Sequence, residues 1–269
     1  MELTGKNVLV VGLARSGMAA IIVLHRLGAV ITLSESKKKE DIKELPELEK
    51  LGVPVVDQSM QVFEGEYALV VKHPGVPFRS PMMQRLAERN IPVITEIELA
   101  YNVAKPQHYV AITGTNGKTT TSTLVYELLA KTFPGKTHLC GNIGIPLCET
   151  VLENGLMEEG GHYIALEISN FQLVNIDRFR PEAAVILNLT PDHVDFMGSL
   201  DAYYKSKTEV YRNMSGSDLF LLNADDPVLA EYTANYPVNC TVRTFSTDRS
   251  ATDSCVSGGY VCVNGEKEL

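Results

Sequence analysis

The sequence predicts two consecutive α/β domains, each carrying a parallel sheet. Runs of β-branched residues alternate with helix-length segments from the N-terminus onward, the order that parallel strands joined by crossover helices require. Near Ala104-Lys105-Pro106-Gln107 a polar stretch with a proline interrupts the alternation, and a fresh strand, loop and helix pattern opens at Tyr109. At 269 residues and 45% hydrophobic content the chain is longer than one typical domain and has ample apolar side chains for packed cores.

In the first domain, placed at residues 1–104, strands are expected over 8–11, 31–33, 53–56, 69–71 and 93–94, with a closing helix over Glu96–Val103. The turn Gly12-Leu13-Ala14-Arg15-Ser16-Gly17 follows the first strand and precedes a helix. Read alone it is a weak dinucleotide fingerprint, because Ala14 stands where the middle glycine belongs. In the second domain, placed at 105–269, strands are expected over 109–112, 163–168, 184–189 and 219–222, with helices after most of them. Beyond Thr241 the pattern changes to short strands around 242–245 and 260–263, and Asn264-Gly265 supplies a tight-turn signal.

A formal charge of −9 argues against a nucleic-acid or membrane-surface partner, since phosphate-rich surfaces attract basic patches. Lys37, Lys38 and Lys39 are followed at once by Glu40 and Asp41, the composition of a solvated helix start. The five cysteines, Cys140, Cys148, Cys240, Cys255 and Cys262, show no paired short spacing of the kind a zinc or redox motif uses, and are read as reduced thiols. No apolar run approaches the roughly 18 residues that span a bilayer, so a soluble, cytoplasmic chain is expected.

The segment Gly114-Thr115-Asn116-Gly117-Lys118-Thr119 follows a strand and opens a helix, where backbone N–H groups and the helix dipole converge on an anion. Lys118 supplies a point charge for terminal phosphates, and the Thr119 hydroxyl is a hard oxygen ligand suited to Mg²⁺. The spacing is shorter than the general nucleotide loop, with Ile112 where its first glycine would stand. Glu167 ends an apolar strand, so its carboxylate points into the crevice where α/β sheets bind ligands. His193 follows another strand end, in a position that suits either a structural histidine or a metal ligand.

From Ser199 the helical spacing of about 100° per residue places Leu200, Tyr203, Val210, Tyr211 and Met214 on one apolar stripe. Lys207 falls inside that stripe and Lys205 faces away. Burial would lower the Lys207 pKa and leave a neutral amine able to react with CO₂ to form an anionic carbamate. From spacing alone, a stem that snorkels to solvent is equally compatible.

Gly114 to Thr119, the run Glu167-Ile168-Ser169-Asn170-Phe171-Gln172-Leu173, and Asn188 to Asp195 together resemble the Mur ligases, as do Gly141-Asn142-Ile143-Gly144 and Pro74-Gly75-Val76. Phe171-Gln172-Leu173 after Glu167 and Ser169 is similar to the branch that adds D-glutamate. The resemblance implies a Rossmann-like N-terminal domain that binds a UDP substrate, followed by a P-loop α/β central ATP-binding domain. It implies an ATP-dependent ligase joining D-glutamate to UDP-N-acetylmuramoyl-L-alanine in peptidoglycan synthesis, through an acyl phosphate, with two Mg²⁺ ions. On this resemblance Gly114, Thr115, Asn116, Gly117, Lys118, Thr119 and Thr120 would bind ATP. Thr119, Glu167, His193 and a carbamate on Lys207 would hold metal, and Lys118, Lys207 and His193 would serve catalysis. Ala14, Arg15, Ser16, Glu35, Ser36, Lys37, Pro74, Gly75, Asn142 and Ser169 would meet the UDP substrate, which moves the first glycine turn from nicotinamide to UDP.

Two positions depart from the family pattern: Asn170 where serine is usual, and His73 where serine or asparagine precedes Pro74-Gly75. Family members continue into a C-terminal domain that binds D-glutamate, so this stretch is expected to be inactive by itself; a monomer is expected. A folate-polyglutamating ligase shares the phosphate loop but would lack the UDP-type first domain. A silent nucleotide-binding module and a nicotinamide oxidoreductase complete the alternatives.

Overall fold

The computed structural model describes residues 1–77, 79–192, 194–247, 252–257, 260–264 and 266–267. The first strands and helices are β1 (Asn7–Val11), α1 (Ala14–Arg26), β2 (Val30–Ser34), α2 (Leu45–Lys50), β3 (Val55–Val56), β4 (Leu69–Lys72), α3 (Pro81–Glu88), β5 (Val93–Thr95) and α4 (Glu96–Val103). Among the described residues these strands form one five-stranded parallel sheet in the order β3-β2-β1-β4-β5. The order reverses direction between β1 and β4, which is where open α/β sheets bind ligands.

Strand β1 reads Asn-Val-Leu-Val-Val and is buried from its second residue onward, as a strand covered on both faces must be. Leu9 and Val11 join Val70, Phe63, Met83 and Leu86 in one cluster, with α3 and the 3-10 turn Met60–Glu64 as its lid. Truncating a side chain such as Leu9 to alanine there costs about 2–5 kcal/mol.

The remaining elements are β6 (His108–Thr113), α5 (Lys118–Thr132), β7 (Thr137–Gly141), α6 (Leu147–Glu153), β8 (Tyr163–Glu167), α7 (Asn170–Leu173), β9 (Ala183–Ile186), α8 (Val194–Met197), α9 (Leu200–Thr208), β10 (Gly216–Asn223), α10 (Pro227–Asn235), β11 (Cys240–Ser246), β12 (Ser254–Ser257), β13 (Tyr260–Val263) and β14 (Glu266–Lys267). Among the described residues the second sheet has nine strands in the order β14-β13-β12-β11-β10-β9-β6-β8-β7. It is parallel from β7 to β12 and antiparallel over β12, β13 and β14.

Three strands escaped the sequence reading, one of them the two-residue β14. β7 is an edge strand of mixed polarity, Thr-His-Leu-Cys-Gly, without an apolar run to announce it. β12 lies among serines, and its parallel pairing with β11 delays the change of pattern expected after Thr241 to the β12–β13 hairpin. The strand expected over 184–189 stops at Ile186, because the following residues support a neighbouring loop. Asn264 has the positive φ of a tight turn at 51°; Gly265 lies outside the described residues.

The chain forms two compact units. The first comprises Met1–Lys105, Ile145–Gly160 and Val174–Phe179; the second comprises Pro106–Gly144, Gly161–Leu173 and Arg180–Leu269. Two returns of the later chain thus complete the first unit, and two glutamates of α4 hold them. The buried Glu96 carboxylate accepts the Cys148 backbone N–H in the first turn of α6, where a helix presents unsatisfied donors. Glu98 accepts the backbone N–H groups of Asp177, Arg178 and Phe179 at 3.0, 2.8 and 3.0 Å. Burial raises the Glu96 carboxyl to about 7, although the Cys148 N–H opposes the shift.

Candidate functional site

In the second unit, the loop Gly114 to Gly117 joins the buried end of β6 to α5. Gly114 has φ 145°, and a Cβ there would lie 3.0 Å from Leu187 Cβ and 3.1 Å from its backbone nitrogen. Glycine is therefore required by both conformation and space. The loop is braced from the segment after β9. Thr115 donates its backbone N–H to the Asn188 carbonyl (3.0 Å), Asn116 N–H donates to Asn188 Oδ1 (2.9 Å), and Asn188 Nδ2 returns a bond to the Asn116 carbonyl (3.1 Å). The Thr115 hydroxyl reaches the Thr190 carbonyl at 3.1 Å and the Tyr203 hydroxyl at 3.2 Å. Asn188, Thr190 and Tyr203 were not expected as loop supports, although Asn188 and Thr190 belong to the run Asn188 to Asp195 that carries the family resemblance and Tyr203 lies on the apolar stripe.

Lys118 curls over its own loop, donating to the carbonyls of Gly114 (3.0 Å) and Thr115 (2.8 Å). Thr119 donates its hydroxyl to Glu167 Oε2 at 2.9 Å, and Asn142 Nδ2 donates to Glu167 Oε1 at the same distance. Glu167, 2% exposed at the end of β8, thus has a neutral donor on each oxygen. Thr120 is exposed on the first turn of α5. Ser169 donates its backbone N–H and hydroxyl to Gln172 Oε1 at 2.9 and 3.0 Å. Asn170 is buried, with its Nδ2 unpaired among the described residues.

Helix α9 begins where the sequence predicts, with the Ser199 hydroxyl accepting the Ala202 N–H at 3.1 Å. Lys207 is 1% exposed and Lys205 is exposed, so the ammonium does not snorkel to water. Its Nζ donates to the Gly114 carbonyl at 3.0 Å and lies 4.7 Å from the Tyr203 ring centroid. Burial, reinforced by Lys118 and opposed by Asp192, pulls the Lys207 pKa down to about 7. A buried cation pays this cost unless paired with an anion. Close to neutrality a substantial fraction is then the free amine.

Thr119 and Glu167 are hard oxygen donors beside the Gly114 to Gly117 loop, a set that fits Mg²⁺. His193 lies outside the described residues. Among the described residues no three His, Cys, Asp or Glu side chains converge as a metal cluster, so metal would also depend on hydroxyl, phosphate or water oxygens.

The first unit has its own glycine turn between β1 and α1. A Cβ on Gly17 would lie 2.3 Å from the Gly12 carbonyl oxygen, so any side chain there would force the turn open. Ala14 adopts φ 37°, a left-handed conformation that glycine would take without strain. The Glu35 carboxylate, buried at the end of β2, accepts the N–H groups of Leu13 (2.7 Å), Ser36 (2.7 Å) and Lys37 (3.0 Å) and the Ser36 hydroxyl (3.1 Å). Burial raises its pKa, but these donors outweigh it and leave the group below its ordinary value. Glu35 therefore shapes the turn. Arg15 forms two 2.8 Å bonds with Glu149.

After β4, His73 Nδ1 accepts the Gly75 N–H at 3.0 Å, closing the turn that carries Pro74 and Gly75. An asparagine or serine oxygen could make the same bond, which accounts locally for histidine at this position. Lys72 beneath it is buried and donates to the Val76 carbonyl at 3.0 Å; burial lowers its pKa to about 8. No described helix is long and apolar enough to cross a membrane.

The Mur ligase middle domain profile matches residues 112–262. UDP-N-acetylmuramoylalanine--D-glutamate ligase from Geobacillus sp. strain WCH70 is 39% identical over 232 residues, covering 86% of this chain and 50% of that protein. The same-named protein from Geobacillus kaustophilus strain HTA426 is 39% identical over 258 residues, covering 95% and 54%. The chain spans about half the length of the curated relatives it matches. Among solved structures, UDP-N-acetylmuramate:L-alanyl-gamma-D-glutamyl-meso-diaminopimelate ligase from Neisseria meningitides superposes with a TM-score of 0.58 at 17% identity, covering 98% of this chain and 86% of that one. UDP-N-acetylmuramate-alanine ligase from Thermotoga maritima gives 0.52 at 23%, covering 98% and 59%. These two likenesses concern the fold alone. Because the matched span runs from within β6 to within β13 and takes in the Gly114 to Thr119 loop, Glu167 and Lys207, the chain belongs to the Mur ligase family.

Proposed function

We propose that the whole protein is an ATP-dependent ligase that joins D-glutamate to UDP-N-acetylmuramoyl-L-alanine, acting as a cytoplasmic monomer. The observation that carries this reading is the second unit's loop, in which Lys118 and Lys207 both donate to the Gly114 carbonyl and the Thr119 hydroxyl donates to the Glu167 carboxylate. The relatives at 39% identity supply the acceptor and the amino acid by their names. The first unit, with its glycine turn and the Pro74-Gly75 turn at the β1/β4 switch point, takes the UDP end of the substrate. The second takes ATP.

In this reading a substrate carboxylate attacks the γ-phosphate of ATP and releases ADP, and the amine of D-glutamate then attacks the acyl carbon of the resulting acyl phosphate, losing a proton and expelling inorganic phosphate. Two anions must approach each other, so cations fixed in advance are the largest contribution the protein can make. The Lys118 ammonium must leave its two loop carbonyls to meet phosphate, a short swing about a flexible stem. Thr119 and Glu167, with His193, would hold Mg²⁺, which supplies charge neutralisation at the transferring phosphoryl group. Lys207 binds CO₂ as a carbamate and so adds a further anionic oxygen donor beside the loop. Its burial and lowered pKa support this, because only the neutral amine reacts.

The test uses the full-length protein: ADP release should require UDP-N-acetylmuramoyl-L-alanine and D-glutamate together. Turnover with a different amino acid, or ADP release indifferent to the UDP substrate, would overturn the assignment. Independently of activity, ¹³CO₂ should produce a carbamate resonance that disappears in Lys207→Ala; its absence from the wild type would remove the carbamate.

A further inference from the structure

Cys255 and Cys262 stand directly opposite each other in the antiparallel β12–β13 hairpin. Directly opposed residues place their side chains on one face, with Cα atoms ~4.5–5.5 Å apart. That spacing lies within the ~4.4–6.8 Å that a disulfide spans. Strand alternation turns both thiols to the covered face, at 8% and 7% exposure, and leaves Val256 and Val261 on the exposed one. Both cysteines are free thiols. Burial, then the adjacent Cys262 thiol that hydrogen-bonds with it, raises the Cys255 thiol above its ordinary range.

The remaining cysteines have a different setting. Cys140 is registered against Leu166 and Cys240 against Gly216, while Cys148 lies within α6. The linear spacing of Cys255 and Cys262 matches no redox motif; the hairpin register creates the pair.

We propose that Cys255 and Cys262 are a modification site, a dithiol that a low-molecular-weight disulfide such as oxidised glutathione converts into a disulfide across the hairpin. One cysteine, deprotonated, attacks a sulfur of the small disulfide, giving a protein mixed disulfide and one small thiolate. The second cysteine loses its proton to solvent and attacks the protein sulfur of that mixed disulfide, expelling the second small thiolate. One S–S bond breaks and one forms, two small thiols carry away the two protons, and two electrons pass from the protein to the reagent. The raised Cys255 thiol keeps its thiolate scarce at neutral pH, so exchange accelerates as the solution becomes alkaline. The bond fixes the hairpin register, since a one-residue slip would turn one sulfur to the opposite face.

The chain is incubated with oxidised glutathione at mildly alkaline pH, quenched, alkylated and mapped by mass spectrometry. The free-thiol count should fall from five to three through loss of this pair, and the peptide spanning both cysteines should be two hydrogens lighter until dithiothreitol restores it. Cys255→Ser should abolish the link, whereas Cys240→Ser should leave it. Glutathione retained on single cysteines, or Cys255 and Cys262 still reduced in protein whose circular dichroism is native, would overturn the proposal.

Discussion

Ala14 tests the first glycine turn by opposing two magnitudes. Its left-handed φ of 37° costs an L-residue about 1–2 kcal/mol, while glycine loses about 0.5–1 kcal/mol more conformational entropy on folding. Relief of strain equals or exceeds the entropy loss, so Ala14→Gly should stabilise the first unit by up to about 1.5 kcal/mol, read as a higher urea midpoint; a lower midpoint would mean the turn is unstrained. In the second unit of the full-length enzyme, Lys118→Ala should lower ATP turnover by orders of magnitude, since a fixed cation at the phosphoryl group contributes several kcal/mol. UDP-substrate affinity should barely change, and a collapse of that affinity would assign the loop to the wrong ligand. Lys207→Ala should nearly abolish turnover and regain part of it with acetate, whose carboxylate fits the vacated space. Lys205→Ala, at an exposed position of the same helix, should cost little, and equal sensitivity at both lysines would refute the carbamate. The stripe that contains Lys207 was legible because helical spacing fixes which side chains share a face, although a snorkelling stem fitted it equally. The bond from Lys207 to the Gly114 carbonyl was not, since it joins residues 93 positions apart.

Among the elements, α4 shows what periodicity leaves hidden. Its limits, Glu96–Val103, were readable from composition, but two glutamates in a helix ordinarily indicate a solvated face. Here both are buried because they satisfy backbone donors of two later segments, a pairing with no local sequence signal. The pKa of Glu96 has a consequence for stability. Raised from an ordinary carboxylate value to about 7, the group contributes stability that is full below the unfolded pKa and is lost as pH rises through about 7. The amount is on the order of 3 kcal/mol. Glu96→Gln retains an oxygen for the Cys148 N–H and cannot ionise. Relative to wild type, the variant should therefore gain in urea midpoint between pH 5 and pH 8. A difference independent of pH would show that Glu96 does not titrate in this window.

At the scale of the whole molecule, the alternation of strands and helices disclosed one parallel sheet and the parallel part of a second, and the polar stretch at residues 104–107 lies at the point where the chain leaves its first compact unit. What the alternation could not disclose is that Ile145–Gly160 and Val174–Phe179 complete that first unit, because a linear pattern records element type and not which sheet an element covers. Each unit has its own glycine turn at the C-terminal end of a central strand, β1 in one sheet and β6 in the other. Under the proposed function the two turns therefore divide two anionic ligands between them, and the chain can be tested without requiring turnover. With UDP-N-acetylmuramoyl-L-alanine added, amide hydrogen exchange should slow at residues 12–17, 35–37 and 73–76. With Mg-ATP added, it should slow at residues 114–120 and 188–190, whose backbone groups brace the phosphate loop. Lys118→Ala should weaken the second protection and leave the first intact. Protection of residues 12–17 by Mg-ATP, or of residues 114–120 by the UDP substrate alone, would show that the ligands had been assigned to the wrong units.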